Sequence, residues 1–151
     1  MGKILNWNEL KDVIERLKAD GKKIVFTNGC FDVIHIGHIR YLKKAKTLGD
    51  ILVVGLNSDR SAALIKPGRP INTQDQRAEV LSSLEMADYV AIFDEETPYE
   101  LIKLIQPDVL VKGGDWKEDD IVGSDLVRET YSLPYVQGIS TSKIIERIKN
   151  L

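Results

Sequence analysis

Residues 23–56 read KIVFTNGCFDVIHIGHIRYLKKAKTLGDILVVGL and contain the pattern that decides the fold. Residues 23–28 are predicted to form a short strand that ends at Gly29, and residues 36–48 a helix. The apolar run 51–56 is bounded by turn residues, which is typical of a strand buried on both faces of a parallel sheet. Strand, helix and strand in this order predict one unit of a parallel α/β sheet.

The same alternation continues to the end of the chain. Three further strands are predicted, at residues 89–93, 109–112 and 135–137. Four further helices are predicted, at residues 73–84, 98–106 and 124–131 and after Ser140. Crossovers of helical length predict an α/β fold, a Rossmann-like open parallel sheet of about five strands with helices on both faces. Such sheets bind ligands beyond the carboxyl ends of their strands.

The first 22 residues are expected to form an N-terminal amphipathic helix. Residues 6–20 place their apolar side chains on one helical face, and Asn6 and Glu9 are spaced like a capping pair. The chain has 151 residues, of which 43% are hydrophobic, enough for one ordinary core. Residues 1–151 are therefore predicted to be a single domain, with this helix packed on it.

Composition excludes several classes of protein. With 21 basic and 23 acidic residues, the net charge of -2 gives no field that would attract nucleic acid, so no nucleic-acid partner is expected. No apolar run approaches the roughly 20 residues that span a bilayer, and no signal-peptide core forms at the start, so a cytoplasmic protein without membrane partners is expected. Cys30 is the only cysteine, which excludes an intrachain disulfide and a zinc cluster of thiolates.

His35 and His38 follow the glycine turn at a spacing of three, which places both imidazoles on one face of the first helical turn. A helix start presents unpaired N–H groups, and Gly37 removes a side chain where a phosphate must approach. Protonated histidines there would stabilise charge that develops on phosphorus during in-line displacement. Alternatively, one histidine is a helix cap and the other a surface residue. The position after a strand and a glycine favours the catalytic role.

Two other segments offer groups that bind phosphate. The last helix opens with three hydroxyls, which suit the outer phosphates of a triphosphate but also suit a simple N-cap: Ser140, Thr141 and Ser142. A phosphate-transfer site needs cationic side chains or magnesium. Three side chains could supply the charge, although each could also be an exposed charge: Lys66, Arg69 and Arg77.

A third segment ends another strand at the same edge. Lys112 and Gly113 stand where a glycine allows close contact with a ligand, and Asp115 could bind a hydroxyl or a nucleobase. A tight turn with charged flanks is the alternative.

A long signature, G-x-F-D-x-x-H-x-G-H-x-x-x-L, runs through the first turn. The matching residues are Gly29, Cys30, Phe31, Asp32, His35, Gly37, His38 and Leu42. On these residues the chain resembles the cytidylyltransferase-like nucleotidyltransferases, and the resemblance covers nearly the whole chain. It implies nucleotide contacts by Gly29, Cys30, Phe31 and Gly37. By motif position, Lys66 resembles a lysine that grips phosphates, Arg77 the arginine that opens an R-x-x-V-L helix, and residues 139–142 the second nucleotide-binding signature.

Four segments narrow the resemblance: residues 27–32, 57–59, 68–72 and 111–116. Together they look like those of the heptose 1-phosphate adenylyltransferases. The resemblance implies transfer of AMP from ATP to D-glycero-β-D-manno-heptose 1-phosphate, giving ADP-heptose and pyrophosphate for the lipopolysaccharide core, with Mg²⁺ bound through the triphosphate. It also implies substrate contacts by Asp32, Asn57, Asp59 and Arg69. Many relatives are fused behind a sugar kinase, for which the chain has no room, so a stand-alone form or an excised domain is expected.

Other functions remain open at this stage. Trp116 stands where that family usually has tyrosine, and a similar ending occurs in glycerol-3-phosphate cytidylyltransferases, which makes a CTP-dependent enzyme the alternative. A metal-dependent hydrolase would use Asp32, His35 and His38 as ligands, and a nucleophilic enzyme would use Cys30. A nucleotide-binding module without catalysis is also compatible with the sequence. The exposed sheet edges and the first helix make a homodimer plausible.

Overall fold

The computed structural model describes residues 2–151 and shows a six-stranded parallel sheet flanked by helices. The strands are β1 (Lys3–Ile4), β2 (Ile24–Gly29), β3 (Ile51–Asn57), β4 (Tyr89–Phe93), β5 (Val109–Gly113) and β6 (Glu129–Leu133). The helices are α1 (Trp7–Ala19), α2 (Ile36–Lys46), α3 (Asp59–Ile65), α4 (Gln74–Ser82), α5 (Tyr99–Ile105) and α6 (Thr141–Lys149). No helix within residues 2–151 is both long and apolar enough to cross a membrane.

The strand order is β1-β4-β3-β2-β5-β6, and every neighbouring pair is parallel. From β2 the chain moves outward to β3 and β4 and then crosses back, so that β5 pairs with the other side of β2. Open parallel sheets bind ligands where the strand order reverses, outside the carboxyl ends of the strands. Here that point lies at the ends of β2, β3 and β5.

Each face of the sheet has its own apolar core. The α2 face carries α2 and α4, which contribute Leu42 and Leu81 to its core. The α5 face carries α1 and α5, and Leu101 belongs to its core. Because successive side chains of a strand point to opposite faces, Val25 lies in the first core and its neighbour Phe26 in the second. This alternation continues to the end of each strand, where the polar side chains begin.

The predicted fold class is confirmed. The sheet is open and parallel with helices on both faces, although it has six strands where about five were predicted. The predicted capping pair at the start of α1 is also present. The side chain of Asn6 accepts a hydrogen bond from the N–H of Glu9 at 2.8 Å, and the Glu9 carboxylate accepts one from the N–H of Asn6 at 3.1 Å.

The prediction for residues 124–137 is wrong. Residues 124–126 form a single 3-10 turn rather than the start of a helix, and the last strand is Glu129–Leu133 rather than residues 135–137. This strand is an edge strand that pairs only with β5, and its first four residues stay partly exposed. It therefore lacks the continuous apolar run that marks the buried strands. Tyr135 follows a proline and is 74% exposed.

One strand and one α-helix were not predicted. The strand β1 has only two residues, too few for a periodic pattern. The segment that was interpreted as a loop after β3 begins a helix instead. The hydroxyl of Ser58 accepts a hydrogen bond from the N–H of Ser61 at 3.1 Å and caps α3.

Candidate active site

The turn after β2 directs the chain from the sheet into α2. Phe31 has a φ angle of 45°, a left-handed conformation that is costly for a residue other than glycine. Its side chain is nearly buried, and its ring centroid lies 5.3 Å from that of His38. A Cβ atom at position 29 would come within 2.9 Å of the Phe31 ring, so Gly29 is required there. Together, Gly29 and Phe31 fix the point at which α2 begins.

The two histidines cap α2 reciprocally. His35 is the N-cap residue, and its Nδ1 atom accepts a hydrogen bond from the N–H of Gly37 at 3.1 Å. Nδ1 of His38 accepts one from the N–H of His35 at 3.2 Å. The ring centroids are 3.9 Å apart. A Cβ atom on Gly37 would lie 2.9 Å from the His35 ring, so the glycine is needed for the cap itself. Both histidines therefore have a structural role, and their catalytic role stays a prediction.

This cap determines the state of the imidazoles. Burial, and to a lesser extent the His35 ring, lowers the pKa of His38 to about 4, and burial lowers the pKa of His35. Both shifts favour neutral imidazoles in the chain without a ligand, rather than the protonated ones that were expected. Since each Nδ1 atom accepts a hydrogen bond, the proton of each neutral ring is on Nε2. Both histidines thus keep an N–H donor that the cap does not use.

The start of α6 lies against the start of α2. Ser140 caps α6 through a hydrogen bond that its hydroxyl accepts from the N–H of Lys143 at 3.1 Å. The hydroxyl of Thr141 donates to the carbonyl of Val33 at 3.1 Å, two residues before His35. The predicted histidine turn and the predicted hydroxyl cluster are therefore side by side in space.

Two of the three predicted cations join this group. Lys66 donates a hydrogen bond to the hydroxyl of Ser142, and Arg69 donates to the same oxygen at 3.2 Å. Arg69 also lies 4.0 Å from the carboxylate of Asp32. The loop between α3 and α4 thus places two positive charges at the start of α6.

Asp32 holds that loop in place. Its carboxylate accepts hydrogen bonds from the N–H groups of Ile71 at 2.7 Å and Asn72 at 2.9 Å. The amide of Asn72 donates in return to the carbonyl of Asp32 at 2.9 Å. Only 7% of Asp32 is exposed. Its predicted contact with substrate stays a prediction, whereas its contacts in the structure position Arg69.

The third cation, Arg77, is completely buried. Its guanidinium donates to the carbonyls of Cys30 and Asn57, both at 2.8 Å, and to the carbonyl of Asn72 at 2.9 Å. It also forms an ion pair with Asp59 at 2.9 Å, and no part of its side chain is exposed. A contact with phosphate, as predicted, would require the guanidinium to leave these partners. We therefore infer that Arg77 positions the surrounding segments, and that Asp59 supports it.

Asn57 and Lys112 lie on the other side of the edge. Asn57 is 2% exposed and donates to the hydroxyl of Ser61 at 3.0 Å. Six residues that were not predicted from the sequence line a cavity with them. Three are polar, namely Asn28, Glu96 and Thr97, and three are apolar, namely Ile65, Pro98 and Val122. Strand alternation could have identified Asn28, because it follows the core residue Phe26 by two positions.

Two aromatic side chains, Trp116 and Tyr135, lie at the end of β5. The indole of Trp116 donates to the carbonyl of Gly113 at 3.1 Å, and the Lys112 ammonium lies 5.3 Å from the indole centroid. Cβ atoms on Gly113 and Gly114 would come within 3.1 and 3.0 Å of the Tyr135 ring, which lies across both. Asp115 is exposed, and its carboxylate forms no hydrogen bond or ion pair with any residue from 2 to 151. Asp115 is therefore a predicted site residue whose side chain has no polar contact with the other predicted site residues.

Two rival functions fit this geometry poorly. Within residues 2–151, no group of three histidine, cysteine or acidic side chains is arranged to hold a metal ion. The carboxylate of Asp32 and both histidine Nδ1 atoms already accept hydrogen bonds from backbone N–H groups. Burial raises the pKa of the Cys30 thiol more than the nearby Arg77 lowers it, which favours the unreactive protonated form.

We predict that Arg77→Lys lowers the free energy of unfolding by about 2 kcal/mol or more, because one ammonium cannot replace a guanidinium that binds three carbonyls and a carboxylate. Urea unfolding measures the change. The matched control is Arg60→Lys, which alters an exposed ion pair with Asp94 and should change stability by less than about 0.5 kcal/mol. Equal losses in the two variants would contradict the role of Arg77.

We also predict that His38 destabilises the chain at acidic pH. Protons bind the unfolded histidine near its ordinary pKa of 6.5 but the folded one only near 4, so stability present above pH 6.5 is lost as the pH falls towards 4. His38→Asn keeps a capping oxygen but cannot titrate. Between about pH 7 and pH 5 the wild type should lose about 1 kcal/mol more than this variant, a figure reduced for partial solvent exposure. An equal change in the free energy of unfolding of the two proteins between these pH values would contradict the assignment of this loss to His38.

Comparison with known proteins gives a consistent result. The family model described as cytidylyltransferase-like matches residues 26–147. The chain is 53% identical to the bifunctional protein HldE of Nitratiruptor sp. over 97% of its own length and 32% of the relative. It is also 53% identical to the bifunctional protein HldE of Wolinella succinogenes, over 97% and 31% of the two chains. The chain thus spans about a third of the length of the curated relatives it matches.

Solved structures share the fold. A lipopolysaccharide core biosynthesis protein from Thermoplasma volcanium superposes with a TM-score of 0.67 and 28% identity, covering 78% of this chain and all of that one. A pantoate-beta-alanine ligase from Francisella tularensis gives a TM-score of 0.64 over 100% of this chain and 79% of its own, and at 16% identity it shows the fold alone. Since the family model covers most of the chain, and the histidine turn lies within the match, the chain belongs to the cytidylyltransferase-like family of nucleotidyltransferases.

Proposed function

We propose that this chain transfers AMP from ATP to D-glycero-β-D-manno-heptose 1-phosphate and releases ADP-heptose and pyrophosphate. The observation that carries the proposal is the meeting of two helix starts at one edge of the sheet. There, the N–H donors of His35 and His38 lie beside the hydroxyls of α6, and Lys66 and Arg69 complete the group. Backbone N–H groups, hydroxyls and cations around one point suit the oxygens of a triphosphate.

The relatives support the choice of substrates. Two proteins named bifunctional protein HldE share about half of their aligned residues with this chain, over nearly its whole length. The chain corresponds to about one third of their length, and we assign it the adenylyltransferase activity of the two. The structural neighbour from Thermoplasma volcanium carries the name of a lipopolysaccharide core biosynthesis protein, and ADP-heptose is a precursor of that core.

The reaction needs no covalent enzyme intermediate. An oxygen of the sugar phosphate forms a bond to the α-phosphorus of ATP, while the bond from that phosphorus to the bridging oxygen breaks and its electron pair leaves with pyrophosphate. A phosphate dianion has no proton to lose, so the nucleophile requires no general base. The imidazoles can therefore stay neutral and donate from Nε2 to the charge that develops on the phosphoryl oxygens.

Mg²⁺ fits this site through the nucleotide. The side chains around the helix starts are mainly donors, which suit phosphate oxygens rather than a metal ion, and Mg²⁺ prefers phosphate oxygens and water. When bound, it would neutralise charge on the leaving pyrophosphate. Lys66 and Arg69 would contribute to the same effect from the protein.

A screen of pyrophosphate release tests the proposal. ATP, CTP, GTP and UTP are each combined with heptose 1-phosphate and glycerol 3-phosphate, with Mg²⁺ present. We expect turnover with ATP and heptose 1-phosphate to exceed every other combination by at least about a hundredfold. Preferred turnover of CTP with glycerol 3-phosphate would assign the chain to the cytidylyltransferases instead, and binding of ATP without turnover of any acceptor would make it a binding module.

We predict that His35→Asn and His38→Asn each lower kcat by about 100-fold or more and change the Kd for ATP by less than about threefold. The side-chain oxygen of asparagine can accept the capping hydrogen bond that Nδ1 of histidine accepts, but asparagine lacks the Nε2 donor. That donor matters most in the transition state. Stopped pyrophosphate assays and ATP titrations measure the two quantities. An unchanged kcat, or a loss confined to ATP binding, would rule out a catalytic role.

A further inference from the structure

A small cavity opens at the carboxyl edge on the α5 face. Its volume is about 90 Å³. Asn28, Asn57 and Lys112 line it from the ends of β2, β3 and β5, and Glu96 and Thr97 line it from the segment after β4. Pockets that hold a whole drug-sized ligand measure roughly 300–1,000 Å³. This one is therefore too small for a nucleotide, and it fits only one end of a smaller molecule.

The cavity lies on the face opposite the histidines. Asn28 follows Phe26 by two residues and Lys112 follows Leu110 by two, and both of these apolar residues belong to the core under α1 and α5. The histidines begin α2, which packs on the other face. The strand ends thus separate the cations and hydroxyls at the helix starts from this cavity. Its polar lining is two amides, a hydroxyl, a carboxylate and the Lys112 ammonium, and its apolar lining is Ile65, Pro98 and Val122.

This separation matches the geometry of the proposed reaction. In phosphoryl transfer the attacking oxygen and the leaving oxygen lie on opposite sides of the phosphorus, roughly in line. The donors at the starts of α2 and α6, with Lys66 and Arg69, lie where they hold the leaving pyrophosphate. An acceptor must then approach the α-phosphorus from the α5 face.

The charged side chains of the cavity favour one orientation of the acceptor. Glu96 repels a phosphate but accepts hydrogen bonds from sugar hydroxyls, and the amide of Asn28 has no hydrogen-bond partner within residues 2–151. Lys112 makes no salt bridge with those residues, and burial lowers the pKa of its ammonium group. Glu96 follows β4 and Lys112 lies at the end of β5, so the two side chains reach this one cavity from different strands. An acceptor can therefore face Glu96 with its hydroxyl end and Lys112 with its phosphate.

On the basis of the function proposed above, we propose that this cavity binds the C6–C7 hydroxyl end of the heptose and that Lys112 binds its phosphate. Asn28, Asn57, Glu96 and Thr97 are then the residues that distinguish a heptose from a hexose. Lys112, which the sequence analysis assigned to the nucleotide, acts on the acceptor.

The test compares two acceptors that differ only at the exocyclic end. Pyrophosphate release is measured at saturating ATP with D-glycero-β-D-manno-heptose 1-phosphate and with β-D-mannose 1-phosphate, which lacks C7. In Glu96→Gln and Asn28→Ala, kcat/KM for the heptose should fall about tenfold, and that for mannose 1-phosphate should fall less, so that the preference shrinks. Lys112→Met should lower both values to the same extent. The matched control is Glu95→Gln, an exposed neighbour whose side chain does not line the cavity, and it should keep the wild-type preference.

The outcomes separate the two proposals. Equal losses with both acceptors in the Glu96 and Asn28 variants, or an unchanged preference, would overturn the cavity assignment while heptose turnover by the wild type still supports the function. A wild-type chain that uses neither sugar phosphate would overturn the function, and the cavity assignment with it. An ATP titration without acceptor completes the test, since a Kd raised more than about twofold in Glu96→Gln would place this residue at the nucleotide instead.

Discussion

The carboxyl edge of the sheet depends on the buried guanidinium of Arg77. Three backbone carbonyls that it satisfies come from separate segments, namely the turn before the histidines, the end of β3 and the end of the loop before α4. All three would lose these hydrogen bonds if the arginine were absent, and for the buried bond to Asn57 the cost is about 1–3 kcal/mol. A planar fork with donors in fixed directions suits such scattered acceptors better than a single ammonium. Arg77 thus fixes the positions of His35, of Asn57 and of the loop that carries Arg69.

The histidines use their two nitrogens for different purposes. Nδ1 of each ring accepts a backbone hydrogen bond at the start of α2, and Nε2 is left as a donor. A bound triphosphate would favour protonation, because an opposite charge stabilises the imidazolium. A second proton would have to be added at Nδ1, however, where it would break the cap. The fold therefore opposes protonation at the place where the ligand favours it, and a neutral donor needs no change of protonation state during the reaction.

The sequence predicted most of the fold but only part of the arrangement of side chains at the candidate site. Buried strands such as β3 carry continuous apolar runs, and glycines and caps mark the helix ends, so the parallel sheet could be predicted. The edge strand β6 could not, since its residues are only partly buried and resemble a loop. At the site, the histidine turn and the hydroxyls of α6 could be predicted because their chemistry is local. The buried state of Arg77 could not, because its partners are up to 47 residues away in the sequence and only the folded chain assembles them.

The same strand ends supply both halves of the proposed site, and strand alternation explains how. Thr27 and Asn28 are neighbours in β2 but point to opposite faces. The hydroxyl of Thr27 donates to the carbonyl of Val111 and is hydrogen-bonded to Tyr41 of α2, which secures the pairing of β2 with β5. With Thr27 opposite Val111, the next residues, Asn28 and Lys112, lie side by side on the α5 face. A slip of one residue would move Lys112 away from Asn28 and bring Val111 or Gly113 beside it. The register of two buried strands thus fixes the residues of the proposed acceptor side.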